Sequence, residues 1–209
     1  TFGANSLKFG IDELSEIIYH AVKNADEARK ASSGKQEKFI ALDVGPTGKL
    51  LKPLGDLDFE DAVKAFAEVI SLGVKYGVEL ITIETMNDSY ETKAAVLAAK
   101  ENSDLPIIVT NAYGENGRLM TGADPAVMAA MLEGMGVDAI GANCSLGPKQ
   151  LMGVMDELLK YPNSSTFSMQ ITSGLANSAH FTTTHARSRM LRSRGAPPVA
   201  VGQSFTSGL

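Results

Sequence analysis

The sequence predicts an α/β protein and, within that class, an incomplete (β/α)₈ TIM barrel. Amphipathic helices alternate with short apolar strands that recur about every 30 residues, which is typical of a parallel sheet with right-handed crossovers. Four of these strands run into polar residues, at Asp43, Glu84, Thr110 and Asn143. Because a barrel brings every strand end to one mouth, whereas an open sheet needs polar ends only beside its switch point, the repeated polar ends favour a barrel.

The first elements are a helix and a strand. Residues 11–31 carry apolar side chains at helical spacing, which predicts an amphipathic helix. Residues 39–42 are a short apolar run that predicts a strand ending at Asp43, and Gly-Pro-Thr-Gly at 45–48 predicts a turn. Since a loop over residues 1–10 leads directly into a helix, we expect the first barrel strand to be missing.

The remaining elements repeat this alternation. Helices are predicted to start at Asp58, Asn87, Asp124 and Gly147, of which the two aspartates are expected to cap through their side chains. Apolar runs predict strands over residues 80–83, 105–109 and 139–142, with a fifth strand near 167–171. A complete barrel has eight strands, so we expect the final strands to be missing or altered.

Composition narrows the classes of function. The chain has 209 residues, a net charge of −5 and a single cysteine. A negative charge argues against a general nucleic-acid binder, and no apolar run approaches the roughly 18 residues that cross a bilayer. One cysteine excludes an internal disulfide, and residues 1–3 do not begin a signal peptide. We therefore expect a cytoplasmic protein that binds neither nucleic acid nor membrane.

The composition changes near Tyr161. All 24 acidic residues lie within residues 1–157, whereas residues 158–209 contain none and are rich in Ser, Thr and Arg. A stretch of this length without a carboxylate is unusual for the continuation of one soluble domain. We therefore expect residues 1–161 to form the partial barrel and residues 162–209 to form an atypical tail.

The only cysteine lies where an α/β fold concentrates its chemistry. Asn143 and Cys144 follow a buried strand and precede a helix start, so they are delivered at the carboxyl end of a strand. A lone cysteine in such a place is more often a small buried apolar residue than a ligand. Glu84 has two possible roles, as a structural carboxylate that caps the following helix or as a functional residue. Asp43 is expected to be structural, since the adjacent Gly-Pro-Thr-Gly turn needs a side-chain acceptor.

Four segments resemble the homocysteine S-methyltransferase family, in particular the homocysteine-binding module of cobalamin-dependent methionine synthases. They are residues 1–5 (Thr-Phe-Gly-Ala-Asn), 43–48 (Asp-Val-Gly-Pro-Thr-Gly), 83–86 (Ile-Glu-Thr-Met) and 141–148 (Gly-Ala-Asn-Cys-Ser-Leu-Gly-Pro). The last segment is the most specific of the four. The resemblance runs continuously from Thr1 to about Tyr161, which implies that residues 1–161 form a partial barrel of this family.

The resemblance implies a (β/α)₈ barrel that holds one zinc ion through three cysteines. Cys144 matches the first ligand, and the other two belong to a Gly-Gly-Cys-Cys-Gly-Thr run near the end of the family's barrel. Zinc holds the homocysteine sulfur as a thiolate, which is the nucleophile at neutral pH. The resemblance implies methylcobalamin as the methyl donor of the intact enzyme, or a sulfonium or betaine donor as in sister enzymes of the family. Folate and cobalamin domains are implied partners if the chain is part of a larger enzyme.

The resemblance also implies roles for residues at other strand ends. Glu84 matches the carboxylate that holds the amino group of homocysteine, and Asn143 is implied to orient the site beside the metal; these two are the candidate catalytic residues. Further candidate substrate-binding residues are Asp43 and three members of the N-terminal loop, Phe2, Gly3 and Asn5.

The sequence departs from the family in its zinc ligands. The chain has no second or third cysteine, and His180 and His185 are the only histidines after Cys144. Because zinc sites of this kind use three protein ligands, we expect the site to be incomplete and zinc to bind poorly. One hypothesis is that residues 162–209 are a frame-shifted translation, since the codons for residues 198–203 allow Gly-Cys-Cys-Gly-Thr in a shifted frame.

Three functions follow from these observations. The first is a fragment of a homocysteine S-methyltransferase that makes methionine, impaired by its missing cysteines. The second is a catalytically inactive barrel fragment, or a module that only binds small ligands. The third is a different barrel enzyme in which Glu84 and Asp43 act as acid and base.

Overall fold

The computed structural model describes residues 10–33, 37–161 and 165–169. Helices and strands alternate along the chain, and the α/β class predicted from the sequence is confirmed. The elements are α1 (Ile11–Ala31), β1 (Ala41–Val44), α2 (Phe59–Tyr76), β2 (Leu80–Met86), α3 (Ser89–Asn102), β3 (Ile107–Asn111), α4 (Pro125–Gly134), β4 (Ala139–Asn143), α5 (Pro148–Leu158) and β5 (Ser165–Met169).

The five described strands form one sheet in the order β1-β2-β3-β4-β5. The pairs β1–β2, β3–β4 and β4–β5 are parallel. Each strand therefore lies beside the next one in the chain, which is the order that repeated strand–helix units produce in a barrel. Within the described ranges, no helix has both the length and the apolar composition that a bilayer crossing needs.

The chain divides into two compact units. The first comprises Thr1–Ile83 and Tyr90–Ile107, and the second comprises Glu84–Ser89 and Ile108–Leu209. The carboxyl end of β2 thus belongs to the second unit, together with β4. Contacts between the carboxyl ends of β2 and β4 therefore lie within the second unit.

The core of the first unit is built by α1 and α2 on β1 and β2. Helix α2 buries one face, which includes Phe66, Val69 and Ile70 at helical spacing, and it ends at Gly77 in the left-handed conformation that favours glycine. Asp58 precedes α2 as expected, but its predicted side-chain cap is wrong. Its carboxylate instead accepts a hydrogen bond from Lys52 Nζ at 2.9 Å.

The turn after β1 is anchored on the first turn of α3. Thr47 donates its backbone N–H to Glu91 Oε1 at 2.8 Å and its hydroxyl to the same oxygen. Glu91 is only 2% exposed. A carboxylate acceptor for the Gly-Pro-Thr-Gly turn was expected at Asp43, and Glu91 provides one from a helix far along the chain.

The second unit contains β3, β4 and β5 with their helices. Asp124 caps α4 by accepting a hydrogen bond from the Val127 N–H at 3.0 Å, and Pro125 occupies the first helical turn, as the sequence predicts. Helix α5 also has a proline in its first turn, but its N-cap residue, Gly147, makes no side-chain cap. The fifth strand is present at Ser165–Met169 rather than at 167–171.

A pair of glycine substitutions tests the packing of the first unit. A Cβ on Gly73 would lie 2.7 Å from Leu42 Cδ2, whereas a Cβ on Gly153 would meet nothing within 4 Å. Because Leu42 is 1% exposed and cannot easily move aside, we expect Gly73→Ala to lower the free energy of unfolding by about 1 kcal/mol. Gly153→Ala should raise it by about 0.5–1 kcal/mol through helix propensity. Urea denaturation measures both, and equal stabilisation by the two changes would contradict the close approach at Gly73.

Candidate functional site

Two strands that are not neighbours meet at their carboxyl ends. Asn143 Nδ2 at the end of β4 donates a hydrogen bond to Thr85 Oγ1 near the end of β2, at 2.8 Å. Cys144 Sγ lies 3.8 Å from the same oxygen. In a flat sheet, strands separated by one other strand are roughly 10 Å apart, so this contact requires strong curvature. Side chains from alternate strands share layers inside a TIM barrel, which is the geometry seen here.

The strand between them ties the end of β2 in place. Thr110 on β3 accepts a hydrogen bond from the Thr85 N–H at 3.4 Å. Asn111, the next residue, donates from Nδ2 to the Met86 carbonyl at 3.2 Å. Both β3 residues are almost fully buried, at 0% and 1% exposure. The polar residues that end β3 therefore hold the backbone of β2 next to the cysteine.

The backbone is strained around the thiol. Among the described residues, the non-glycine residues with positive φ are Thr85 at +58°, Cys144 at +57° and Ser145 at +47°. The left-handed conformation costs an L-residue roughly 1–2 kcal/mol, and it is rarest for a β-branched side chain such as threonine. Strain of this kind concentrates at functional sites, where surrounding contacts maintain it. Ser145 supplies one such contact, because its hydroxyl donates to the Tyr113 carbonyl at 2.6 Å.

Two buried polar atoms near this cluster have no hydrogen-bond partner among the described residues. They are Asn143 Oδ1 and the hydroxyl of Tyr113, which belong to side chains with 0% and 1% exposure. Burial, with a smaller contribution from the charge of Asp124, raises the pKa of the Tyr113 phenol far above its ordinary value. An unsatisfied buried acceptor is costly in a folded protein, so Asn143 Oδ1 is a candidate ligand-binding atom.

The other candidate residues lie at several places. Glu84 is half-buried on β2, directly before Thr85 and in the same unit. Asp43 is half-buried on β1 and belongs to the first unit. The remaining candidates lie outside the described residues: Phe2, Gly3, Asn5, His180 and His185. The structure thus brings Thr85 to Asn143 and Cys144; Thr85 lies in segment 83–86 but is not among the predicted site residues.

The family model described as Homocysteine S-methyltransferase matches residues 1–195. The chain belongs to this family. The match includes all four segments that carry the resemblance and also extends beyond Tyr161.

Relatives of known name agree with this assignment. Methionine synthase of Mycobacterium leprae is 25% identical over 174 residues, which cover 77% of this chain and 14% of the relative. Methionine synthase of Mycobacterium tuberculosis is 26% identical over 161 residues, which cover 72% of this chain and 13% of the relative. The chain therefore spans only a small part of the methionine synthases that it matches.

Solved homocysteine methyltransferases share the fold. The Escherichia coli homocysteine methyltransferase MmuM aligns in its apo form with a TM-score of 0.68 and 17% identity, covering 78% of this chain and 62% of that protein. Its metallated form aligns equally well and covers 80% of this chain. The prediction of an incomplete TIM barrel is therefore confirmed at the level of the fold.

The described residues do not fit the family's zinc site. They contain no group of three His, Cys, Asp or Glu side chains that could hold a metal ion. Cys144 is the single cysteine of the sequence. A catalytic zinc site uses three protein ligands, and one thiol does not meet that requirement.

The buried phenol of Tyr113 predicts a pH dependence of stability. Its folded-state pKa lies above the unfolded value of about 10, so both states keep the proton below pH 10 and only the unfolded state releases it at higher pH. Wild-type stability should therefore fall above pH 10 by up to about 1.4 kcal/mol per pH unit, and Tyr113→Phe should remove this part of the slope.

Urea denaturation of both proteins at pH 7 and at pH 11 measures this effect, and the data at pH 7 are the internal control. There, the variant should match or exceed wild type, because it loses a hydroxyl that has no partner among the described residues. An equal loss of stability by the two proteins between pH 7 and pH 11 would show that the phenol is not buried.

Proposed function

We propose that this chain is part of an enzyme that transfers a methyl group to the sulfur of homocysteine and so makes methionine. The observation that carries the proposal is the cluster at the ends of β2 and β4, where Asn143 Nδ2 lies 2.8 Å and Cys144 Sγ 3.8 Å from Thr85 Oγ1. Membership of the homocysteine S-methyltransferase family and the similarity to methionine synthases support the same chemistry.

The proposed reaction is a nucleophilic displacement. The homocysteine thiolate attacks the methyl carbon, the new sulfur–carbon bond forms, and the bond between that carbon and the donor breaks with its electron pair leaving on the donor. A free thiol has a pKa near 8.5 and is only a few per cent ionised at pH 7. The site must therefore favour the thiolate form of the substrate and hold it in line with the donor.

This chain's own residues are proposed to bind and orient the amino acid. Glu84 receives the ammonium group of homocysteine, since a half-buried carboxylate is a natural partner for a cation. Asn143 offers Oδ1, a buried acceptor without a partner among the described residues, to a donor group of the bound ligand. Asp43, Phe2, Gly3 and Asn5 remain proposed substrate-binding residues.

The methyl donor and the metal belong to the intact enzyme. Methylcobalamin, presented by cobalamin and folate domains, is the proposed donor, in keeping with the 13% and 14% of the methionine synthases that the chain covers. Cys144 is proposed as one zinc ligand of the intact site. We also propose that residues 162–209 are a frame-shifted barrel end, although the family match extends to residue 195, and that the missing cysteines lie in the other reading frame. A catalytically silent small-ligand module is the second candidate, favoured by the single cysteine.

Binding of homocysteine tests the role of Glu84. Loss of a charge-assisted hydrogen bond to the ammonium group should weaken binding to Glu84→Gln by about tenfold or more, as measured by calorimetry. Glu115→Gln is the matched control, because Glu115 is an exposed carboxylate in the loop after β3. Equal affinity of wild type and Glu84→Gln would remove Glu84 from the site.

Zinc titration tests the proposed origin of the tail. The chain as it stands has one cysteine, so we expect weak zinc uptake that Cys144→Ser hardly changes. A chain produced from the same gene with the frame shifted back after residue 161 should take up one zinc tightly, and Cys144→Ser should abolish that uptake. Tight zinc binding by the present chain, or weak zinc binding by the re-framed chain, would contradict the proposal that the tail is frame-shifted.

A further inference from the structure

Two of the hydrogen bonds at Thr85 have a defined direction, because its N–H donates to Thr110 Oγ1 and its hydroxyl oxygen accepts from Asn143. Asn143 Nδ2 is a donor only, so Thr85 Oγ1 accepts at this contact and keeps its own proton for another partner. The sulfur of Cys144, 3.8 Å away, is such a partner. One hydroxyl therefore connects the amide that ends β4 with the thiol that follows it.

We propose that Thr85 is a positioning residue of the site, one that acts through Asn143 and Cys144. Its hydroxyl holds the Asn143 amide by the nitrogen, which leaves the buried Oδ1 as the atom open to a ligand. The same contact fixes the start of the Cys144 backbone relative to β2. The inference rests on the proposed function for its substrate, homocysteine, but the contact itself is independent of that function.

The strained backbone of Thr85 indicates that its side-chain hydroxyl has a role in the site. A β-branched residue at a φ of +58° is strained, whereas glycine adopts this conformation without a steric cost. The strain is maintained by two contacts, the N–H donated to Thr110 Oγ1 at 3.4 Å and the hydroxyl that accepts from Asn143. A glycine at position 85 would remove the backbone strain, but it would also remove the hydroxyl that accepts from Asn143.

The single cysteine makes the test specific. Cys144 is the only thiol in this chain, so the rate at which iodoacetamide removes the free thiol reports how accessible and how well held that side chain is. Rates are compared at the high-pH plateau, where they do not depend on thiol ionisation. Thr85→Val removes the hydroxyl and keeps the shape, and Thr85→Ser keeps the hydroxyl. Thr82→Val is the matched control on the same strand, since Thr82 lies in the first unit and outside the cluster.

We expect Thr85→Val to speed alkylation about tenfold, because a buried amide N–H without its acceptor makes the end of β4 open more often. Thr85→Ser should stay within about twofold of wild type, since it keeps the hydroxyl that accepts from Asn143. Thr82→Val should not change the rate. If Thr85→Val does not fold, Thr85→Gly serves instead, because glycine tolerates the left-handed backbone and also lacks the hydroxyl.

Homocysteine affinity, measured by calorimetry on the same proteins, separates this inference from the proposed function. Thr85→Val should bind homocysteine about tenfold more weakly than wild type, and Thr85→Ser should restore binding. Wild-type alkylation rates in Thr85→Val and Thr85→Gly, or a serine variant as fast as the valine one, would overturn the positioning role. If wild type does not bind homocysteine while the alkylation series holds, the proposed function fails and the positioning role stands.

Discussion

The hydrogen bond from Asn143 to Thr85 is the contact on which the candidate site depends. It joins β2 to β4 across the whole width of β3, at 2.8 Å between Nδ2 and Oγ1. Such a bond contributes only about 1 kcal/mol net, but breaking it leaves a buried donor whose desolvation costs more. Its importance is therefore geometric. It can form only if the strand ends converge, and convergence is what brings the Cys144 thiol beside a second polar group.

The backbone strain and this hydrogen bond support each other. Three left-handed residues, at Thr85, Cys144 and Ser145, would be unfavourable in an isolated chain. Thr85 is held by contacts from β3 and β4, and Ser145 by the loop after β3. Cys144 is held by the contact of its sulfur with Thr85 on β2. A site maintained in this way is pre-organised, since its polar atoms do not need to rearrange when a ligand arrives.

Local signals in the sequence predict the fold well and the site in part. Alternating helices and apolar strands with polar ends are enough to predict the parallel sheet, and Asp124-Pro125 correctly predicts a capped helix start. Asp58 carries the same local signal, yet its carboxylate pairs with Lys52 instead of capping α2. The predicted strands 80–83 and 105–109 end too early, because the backbone ladder continues past the first polar side chain, to Met86 and Asn111.

The parts of the site that the sequence does not predict are long-range. Thr85 looks like an ordinary strand residue, because threonine favours strands and nothing in a sequence marks a positive φ at a β-branched position. Glu91 meets Thr47 only because a helix and a turn 44 positions apart pack together. Cys144 and Asn143 are visible because they lie in a distinctive local segment, whereas their partner comes from 58 residues earlier.

The residues of the cluster and the packing around Gly73 belong to different units of the chain. Glu84, Thr85, Asn143 and Cys144 all belong to the second unit, whereas Glu91 and the turn that it anchors belong to the first. Packing in the first unit, such as the close approach of Gly73 to Leu42, contributes to folding free energy without forming any contact of the cluster. Part of the packing that stabilises the fold is therefore separate from the contacts that shape the site. A substitution that lowers the free energy of unfolding and leaves the cluster contacts intact therefore tests the fold. One that breaks a cluster contact and leaves that free energy unchanged tests the site.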